Sequence, residues 1–491
     1  MFLLRSIQLS TAAGILLGLA DLSPAQGTAT KDPAAAAGLG ITAMFPKADA
    51  KDVCPDTPLR LTFSGPPIVG AGKIHVFDAE GDVLIEAIDV AEPTKIKTIG
   101  GFPNFKYYPI LIDGNEAAIY LPGALGYGKT YYVKIDAGGF KDSAGDGFAG
   151  LGDVKSWRFT TKSRPPEATT KKLVVAADGS GDFASVQGAI DFIPEGNTDP
   201  RTIFIKNGTY NELICFTGRN NLTFQGEDRK KTIIAYANNS NFNNNAGANP
   251  FAPGATPTTA TRRSGAVYHR GLFLAHRVTD LTIEDLTLHN TTPQGGSQAE
   301  AIILNGRPDA RAVLRDLDLY SFQDTLQVNG QAYISNCYIE GDVDFLWGTG
   351  PCFFEYCYAK SLRSNAYYTQ IRNPPTNHGY IFKRCTFDGS PGITGNFLSR
   401  IEPTRFPASE VVLIDCVLTD AVGPVAWRLD RAMEAPDVHF WEFNSRTPDG
   451  QPVDTSKRPA FSKQLKLPED QETVDNYSNP TWVLGGDWTP K

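Results

Sequence analysis

The chain has 491 residues, a length that corresponds to about two to four domains. Its 46 basic and 54 acidic side chains give a net charge of −8, and no basic stretch stands out, which disfavours a nucleic-acid-binding protein. The 47 glycines and 34 prolines are too many for a helical bundle and favour a loop-rich protein built from β-strands.

The N-terminal residues are predicted to direct export. Arg5 precedes the short apolar run 12–20, and the small residues Ser23–Ala25 resemble a cleavage site, so residues 1–25 are interpreted as a secretory signal peptide. The Ala-, Gly- and Thr-rich residues 26–40 are predicted to form a flexible leader. No later run reaches the roughly 20 apolar residues of a membrane helix, and we therefore expect a secreted or periplasmic protein without a membrane span.

Residues 41–162 have the pattern of a small β-sandwich. Short runs of alternating apolar and polar residues, such as Leu59–Phe63 and Thr130–Ile135, are separated by turns rich in Gly, Asp and Pro. The region resembles the bacterial Ig-like domains, whose last strand ends in a Trp-x-Phe-Thr pattern like that of Trp157–Thr160. Residues 163–171 are interpreted as a linker.

Residues 172–465 repeat a pattern of paired strands. Five units consist of two apolar strands joined by polar residues: LTIEDLTLHN, AVLRDLDLYS, AYISNCYIEG, YIFKRCTFDG and VVLIDCVLTD. The cysteines of this region, Cys337, Cys357, Cys385 and Cys416, are spaced by about 20 to 31 residues. Repeats of this length are typical of a parallel β-helix, in which stacked coils supply the core. Apolar residues at helical spacing from Phe183 to Ile193 predict a helix of about three turns that covers the first coil. The predicted fold class is therefore all-β, with residues 466–491 as a C-terminal tail.

The seven cysteines support this repeat. Cys337, Cys357, Cys385 and Cys416 occupy similar positions in successive units. A free cysteine behaves as a small buried hydrophobe. We therefore expect these four side chains to stack inside the β-helix, mostly as free thiols.

Candidate chemistry follows from the coil spacing. Asp324 and Asp344 are 20 residues apart, close to one coil, and successive coils lie about 4.8 Å apart. Two carboxylates stacked this closely do not both ionise easily, so one is expected to act as an acid while the other stays charged. The amides of Gln298 and Gln323 suit an oxyanion hole, and Arg400 suits a forked pair with the charged carboxylate. Asp and Asn also line up in β-helix turns for purely structural reasons, so the spacing alone leaves both interpretations open.

Five segments, in order and over about 290 residues, resemble the pectin methylesterase family. They are Gly208–Glu212 (GTYNE), Gln298–Ile302 (QAEAI), Gln323–Leu326 (QDTL), Gly341–Gly348 (GDVDFLWG) and Tyr368–Arg372 (YTQIR). The resemblance implies a right-handed, single-stranded parallel β-helix. It also implies a monomer that acts on pectin, or a related methylated polygalacturonate, without a cofactor or metal.

The same resemblance implies roles for the candidate residues. Asp344 is the expected nucleophile on the methyl-ester carbonyl of a galacturonate unit. Asp324 is expected to protonate the departing methanol and then to activate the hydrolytic water. Gln298 and Gln323 would stabilise the oxyanion, and Arg400 would keep Asp344 charged.

The segment around the arginine departs from the family pattern Leu-Gly-Arg-Pro-Trp. Here it reads Leu398–Glu402, so the arginine remains while Glu402 stands at the tryptophan position. Glu402 is predicted either to repel unesterified galacturonate or to point to solvent. Trp347 is predicted either to stack on a sugar ring or to cover the groove floor. Gln370 and Arg372 are further candidate substrate-binding residues, although Arg372 at the surface would also be unremarkable.

Two other functions remain open. A pectate or pectin lyase is built on the same fold, and a non-catalytic polysaccharide-binding β-helix would keep the scaffold alone. The sequence lacks the Gly-x-Ser-x-Gly pattern of a serine-elbow esterase and the His-Glu-x-x-His zinc pattern. The polar run Asn238–Thr261 is predicted to be a mobile loop.

Overall fold

The computed structural model describes residues 38–243, 269–432 and 434–490. The predicted signal peptide (1–25) and most of the predicted leader lie outside these residues. Leu39, near the end of that leader, is buried in the core of the N-terminal domain.

The N-terminal domain is a β-sandwich of two sheets. The smaller sheet has the order Ile41–Phe45, Leu59–Phe63, Glu116–Ile119, Ile110–Asp113. The larger has the order Ala50–Val53, Arg158–Thr161, Thr130–Ile135, Lys73–Asp78, Val83–Asp89. Short pairs are formed by Ile68–Val69 with Phe140–Lys141 and by Lys95–Ile99 with Phe102–Tyr107. Alternating burial along the strands gives one apolar face to each sheet, and the predicted sandwich is confirmed.

Trp157 belongs to the core of the sandwich. Its ring is fully buried, and its Nε1 donates a hydrogen bond of 2.8 Å to the carbonyl of Pro46. Burial of the ring contributes apolar area, and the hydrogen bond satisfies the only polar atom of the side chain. The Trp and Phe of the Trp-x-Phe-Thr pattern are therefore core residues of this domain.

The second domain is a parallel β-helix. Within the described residues its coils contribute strands to three parallel sheets, here called A, B and C. Sheet A contains Lys172–Val175, Arg201–Ile205, Leu222–Gly226, Leu281–Glu284, Arg311–Arg315, Gln331–Ser335, Cys352–Glu355, Tyr380–Lys383, Glu410–Ile414, His439–Phe443 and Lys463–Gln464. Sheet B contains Gly208–Tyr210, Thr232–Tyr236, Thr287–Asn290, Asp318–Tyr320, Tyr338–Gly341, Tyr358–Ser361, Thr386–Gly389 and Val417–Leu418. Sheet C contains Ile214–Thr217, Phe273–His276, Ile302–Asn305, Leu326–Val328, Val343–Gly348, Tyr367–Ile371, Phe397–Ile401 and Trp427–Leu429. The predicted β-helix is confirmed.

The interior of the β-helix is apolar. The side chains of Cys337, Cys357, Cys385 and Cys416 are buried at equivalent positions between sheets A and B. The backbone N–H of Cys357 lies 3.4 Å from the Cys385 sulfur, and all seven cysteines of the chain, each within the described residues, are free thiols. The predicted cysteine stack is confirmed.

A helix covers the open end of the first coil, as the sequence predicts, although it is shorter than expected. It spans Val186–Phe192 and begins after the N-cap Ser185. Two carboxylates accept backbone N–H groups at its start: Glu212 binds those of Val186 and Gln187 at 2.7 and 3.0 Å, and Asp56 binds that of Ser185 at 2.8 Å. Since Asp56 belongs to the sandwich, this helix end is shared between the two domains.

The C-terminal residues pack on the outer face of sheet A. The helices Gln471–Tyr477 and Pro480–Val483 bury apolar side chains against Phe353, Ile381 and Val412. The hydroxyl of Tyr477 donates a 2.6 Å hydrogen bond to buried Glu410. The segment interpreted as a tail is therefore part of the folded body.

The prediction of a mobile loop at Asn238–Thr261 is wrong for its first residues. A short helix spans Ser240–Asn243, and Asn238 and Asn243 are buried and hydrogen-bonded to each other at 2.9 Å. Their amides have backbone partners that composition does not reveal. The rest of the run lies outside the described residues.

Among the described residues, no helix has the length and apolar character needed to cross a membrane. The same part of the chain has no group of three or more His, Cys, Asp or Glu side chains arranged to hold a metal ion.

Candidate active site

Asp324 and Asp344 lie on neighbouring coils beside sheet C. Gln323 bridges to Val343, and Leu326 pairs with Leu346, so the two aspartates occupy matched register positions. Each has a left-handed backbone, with φ of 67° for Asp324 and 49° for Asp344. The 20-residue spacing therefore brings the two carboxylates together, as the sequence predicts.

A β-bulge sets the direction of Asp344. Between Val343 and Leu346 this strand has one residue more than its neighbour has between Tyr367 and Thr369. Bulges re-aim a side chain and interrupt the regular ladder, and they are common beside active sites. The bulge contains Asp344.

Three groups bind the Asp344 carboxylate. Arg400 Nε donates to Oδ1 at 2.9 Å, and Arg400 Nη2 donates to Oδ2 at 2.5 Å. Gln370 Nε2 donates to Oδ2 at 3.1 Å. Strand register explains the arrangement, because Trp347 pairs with Gln370 and the next coil pairs Thr369 with Ser399, which places Arg400 beside Gln370. Gln370, expected to contact substrate, thus lies against the carboxylate.

The ionisation of Asp344 reflects two opposed influences. Burial raises the pKa of Asp344, which is 7% exposed, above its ordinary value, and the hydrogen bonds and charge of Arg400 oppose that rise. The same pairing raises the pKa of Arg400. A bidentate guanidinium at these distances stabilises the carboxylate form of Asp344 strongly.

Asp324 has different partners. Arg270 Nη2 donates to Asp324 Oδ2 at 3.0 Å, and the same guanidinium forms a fork with Glu300, with Nε–Oε1 and Nη2–Oε1 distances of 2.9 and 2.7 Å. Burial, followed by the charge of Glu300, raises the pKa of Asp324 well above its ordinary value, and Arg270 opposes this rise. Asp344 contributes a further upward shift of that pKa. The environment of Asp324 therefore favours its protonated form more than that of Asp344 does.

Sequence reasoning missed Arg270 and Glu300. A signal was present, because Glu300 is a charged residue within the apolar run Ala299–Ile302, and a buried carboxylate requires a partner. The partner is 30 residues earlier in the chain, and no motif connects the two positions.

Gln298 is fixed through its carbonyl oxygen. Ser240 Oγ and Ser297 Oγ donate to Gln298 Oε1 at 2.9 and 2.7 Å. Its remaining hydrogen-bonding capacity is the NH2 group, which is the donor that an oxyanion needs. Gln323 is half-buried beside Asp324, and its backbone carbonyl accepts from Ala299 N at 3.1 Å.

Trp347 has little surface to offer a sugar. The indole is 6% exposed, and the guanidinium carbons of Arg372 and Arg270 lie 4.9 and 5.6 Å from its ring centre. The two guanidinium groups therefore cover the indole, which disfavours the predicted stacking of Trp347 on a sugar ring. Arg372 is held by Gln370, whose Oε1 accepts from Arg372 Nε at 2.9 Å.

Glu402 is paired with arginines. Its carboxylate lies 3.5 Å from Arg431 and 3.7 Å from Arg405, and its side chain is 22% exposed. An incoming substrate therefore meets a carboxylate whose charge is partly balanced, which weakens the repulsion predicted from the sequence.

A hairpin of the sandwich domain supports the Asp324 side of the site. Its strands are Lys95–Ile99 and Phe102–Tyr107, and its turn residue Gly100, at φ 56°, approaches Cys215 so closely that a Cβ would lie 1.9 Å from that carbonyl oxygen. The rings of Phe102 and Phe105 pack on His269, with centroids 4.9 and 5.0 Å away. His269 directly precedes Arg270.

The same hairpin binds the short helix that carries Ser240. Lys106 N donates to Asn243 Oδ1 at 2.8 Å, and Asn243 Nδ2 donates to Lys106 O at 3.0 Å. Tyr108 stacks on Phe242 with ring centroids 4.8 Å apart. Through Ser240 and His269, the sandwich domain is thus connected to Gln298 and Arg270.

Two regions of the chain match models of known protein families. A sequence model described as pectinesterase matches residues 172–486, and one described as a bacterial Ig-like domain matches residues 36–161. The chain is 29% identical over 302 residues to pectinesterase 31 of Arabidopsis thaliana, covering 61% of this chain and 89% of the relative. It is 28% identical over 331 residues to pectinesterase 1 of Olea europaea, covering 65% and 81%.

Among solved structures, pectin methylesterase from carrot shares the fold. The TM-score is 0.53 at 21% sequence identity, covering 65% of this chain and 94% of the carrot protein. With the pectinesterase match extending over more than half of its length, the chain belongs to the pectinesterase family and carries a bacterial Ig-like domain before its β-helix.

Proposed function

We propose that this protein is a pectin methylesterase, which hydrolyses the methyl esters of galacturonate units and releases methanol. The observation that carries the proposal is the pair of buried carboxylates on adjacent coils, of which only Asp344 is held by a bidentate arginine. An ionised and a protonated carboxyl group side by side are what a nucleophile and a general acid require.

In the first half-reaction, a carboxylate oxygen of Asp344 attacks the ester carbonyl carbon. The negative charge that develops on the carbonyl oxygen is stabilised by the amide NH2 groups of Gln298 and Gln323. The tetrahedral intermediate collapses as the C–O bond to the methoxy group breaks, and Asp324 gives its proton to the leaving oxygen. The products are methanol and an anhydride between Asp344 and the galacturonyl group.

In the second half-reaction, Asp324 is ionised and acts as a base. It takes a proton from a water molecule, whose oxygen attacks the galacturonyl carbonyl carbon of the anhydride. Breakage of the bond to the Asp344 oxygen restores the carboxylate, which Arg400 stabilises as it reforms. Asp324 is again protonated, so the cycle closes without net change in the enzyme.

The surroundings of the carboxylates fit an anionic polymer. Arg372 packs on Trp347, Arg428 pairs with Arg400 in the strand register, and Arg405 and Arg431 pair with Glu402. These four cations would offer charge to unesterified galacturonate units beside the reacting ester. Export guided by residues 1–25, a monomeric state, and the domain limits 41–162, 163–171 and 172–465 stay predictions.

One assay on highly methylated pectin tests the proposal. Methanol and unsaturated oligosaccharides are followed in the same reaction, with and without a calcium chelator. Methanol release without absorbance from new double bonds is the expected result. Unsaturated products would indicate a lyase, and binding without either product would indicate a non-catalytic polysaccharide-binding protein.

A further inference from the structure

Arg270 is shared between two carboxylates in a buried site. Its side chain is 9% exposed, and that of Glu300 is fully buried. Arg270 Nε donates to Oε1 and Oε2 of Glu300 at 2.9 and 3.0 Å, and Arg270 Nη2 donates to Oε1 at 2.7 Å. Asp324 receives one hydrogen bond of 3.0 Å from Nη2. The main ion pair of Arg270 is therefore with Glu300.

Arg400, the arginine at Asp344, distributes its hydrogen bonds differently from Arg270. Arg400 gives its fork to Asp344, and its second acidic neighbour, Asp430, is 3.4 Å away from Nη1. Arg400 thus gives its two shortest hydrogen bonds to Asp344, whereas Arg270 gives three contacts to Glu300 and one to Asp324.

We propose that Arg270 and Glu300 are positioning residues for Asp324: Arg270 fixes the carboxyl group by one hydrogen bond, while Glu300 balances the guanidinium charge so that Asp324 keeps its proton. The proposal rests on the proposed function, in which Asp324 is the general acid. A cation beside a carboxyl group normally lowers its pKa, so an arginine without a counter-charge would orient Asp324 and remove its proton at the same time.

The charged groups that act on Asp324 come from several coils. Arg270 and Arg372 lower its pKa, whereas Glu300 and Asp344 raise it. Arg400 acts on Asp344 from a later coil. Glu300 is the group in this set that directly contacts the same guanidinium as Asp324, and its removal therefore changes the balance without removing the hydrogen bond from Arg270.

The pH dependence of kcat/KM for methanol release distinguishes this role from a merely structural one. In the proposed mechanism the alkaline limb reports loss of the Asp324 proton. Glu300→Gln should move this limb to lower pH by about 1 unit or more, because Arg270 is left uncompensated. Arg270→Gln should move it to higher pH, and the double variant should return it toward the wild-type position.

The pair Glu284–Arg315 supplies the control. These side chains also form a buried-to-surface ion pair, with a contact of 2.6 Å, but they belong to sheet A. Glu284→Gln should leave the alkaline limb in place. A lower kcat/KM for Glu300→Gln at every pH, without displacement of the limb, would overturn the proposal, as would a displacement to higher pH.

A second measurement does not depend on turnover. Infrared titration follows the carbonyl stretch of protonated carboxyl groups, and the band lost in Asp324→Asn identifies Asp324. In Glu300→Gln this band should disappear at lower pH than in the wild type, and an unchanged titration refutes the proposal. Absence of methanol release by the wild type would refute the esterase function, while the infrared titration still decides whether Glu300 controls the Asp324 proton.

The double variant provides a test of the proposal if the single variant does not fold. Should Glu300→Gln fail to fold because a buried guanidinium is left unpaired, Arg270→Gln/Glu300→Gln contains no uncompensated charge. It should fold and titrate Asp324 near the wild-type pH. A folded double variant with a displaced Asp324 titration would contradict the balance that the two residues are proposed to maintain.

Discussion

Asp344 and Asp324 occupy matched positions on neighbouring coils, but different parts of the molecule support them. The Asp344 side is built from sheet C alone, because Gln370 and Arg400 follow from strand register. The Asp324 side depends on Arg270, whose neighbour His269 packs on the sandwich hairpin. The comparison indicates that neighbouring strands of sheet C supply the partners of Asp344, whereas the arginine that binds Asp324 also adjoins a hairpin of the other domain through His269.

The largest expected effect is at Asp344, the proposed nucleophile. Asp344→Asn should lower kcat by about 10⁴-fold or more, because an amide cannot form the anhydride. Methanol release under single-turnover conditions measures the effect. Asp342→Asn is the matched control, since Asp342 is also buried and its Oδ2 accepts from Gln294 at 3.1 Å, and it should retain turnover. Substantial methanol release by Asp344→Asn with a wild-type circular dichroism spectrum would contradict the assignment.

The next largest effect is expected at Asp324, and its dependence on the leaving group distinguishes Asp324 from Asp344. Asp324→Asn should lower kcat on methyl esters by about 10²–10⁴-fold, the usual contribution of general acid–base help. In the acylation step the loss should shrink for an aryl ester, because its leaving group needs no proton. Asp344→Asn should lose acylation of both esters alike. Equal losses of Asp324→Asn on methyl and aryl esters in that step would show that Asp324 is not the acid.

A smaller effect is expected from the sandwich hairpin. Phe105 is buried against His269, and Phe105→Ala should lower kcat by about 10- to 100-fold by displacing Arg270 and, with it, Asp324. Phe63→Ala is the control, because Phe63 is equally buried but packs on Phe140 and Phe148 within the sandwich. Both variants should lose about 3–5 kcal/mol of unfolding free energy. Assays well below each melting temperature should show the kcat loss in Phe105→Ala only, and similar kcat values would break the proposed connection.

The smallest expected effect is at Glu402, which pairs with Arg405 and Arg431. Glu402→Gln should raise kcat/KM on sparsely methylated pectin by up to about fivefold, since it releases Arg405 and Arg431 from their shared counter-charge and exposed pairs contribute about 0.2–1 kcal/mol. The gain should fall as salt is added. Arg431→Gln should act in the opposite direction on the same substrate. Equal changes on sparsely and densely methylated pectin would show that Glu402 does not respond to substrate charge.

Much of the Asp344 side could be predicted from the sequence. The 20-residue step from Asp324 to Asp344 equals one coil, and the Cys337, Cys357, Cys385 and Cys416 stack follows from the same repeat. Parallel strands in register place equivalent residues above one another, so the position of a residue within its coil fixes its neighbours. Local periodicity is visible in a single sequence, and for that reason the fold class and the carboxylate pair are predicted.

Only the tertiary structure decided the partners that cross between coils and domains. Arg270 meets Asp324 across 54 residues, and Phe105 meets His269 across the domain boundary. The same holds for the cover that Arg270 and Arg372 form over Trp347, and for the pairing of Glu402 with Arg431. None of these contacts is repeated along the chain. They depend on how the sandwich hairpin packs on the β-helix and on the positions that long side chains reach. The free energy of this packing comes from burial and charge pairing between residues that are distant in sequence.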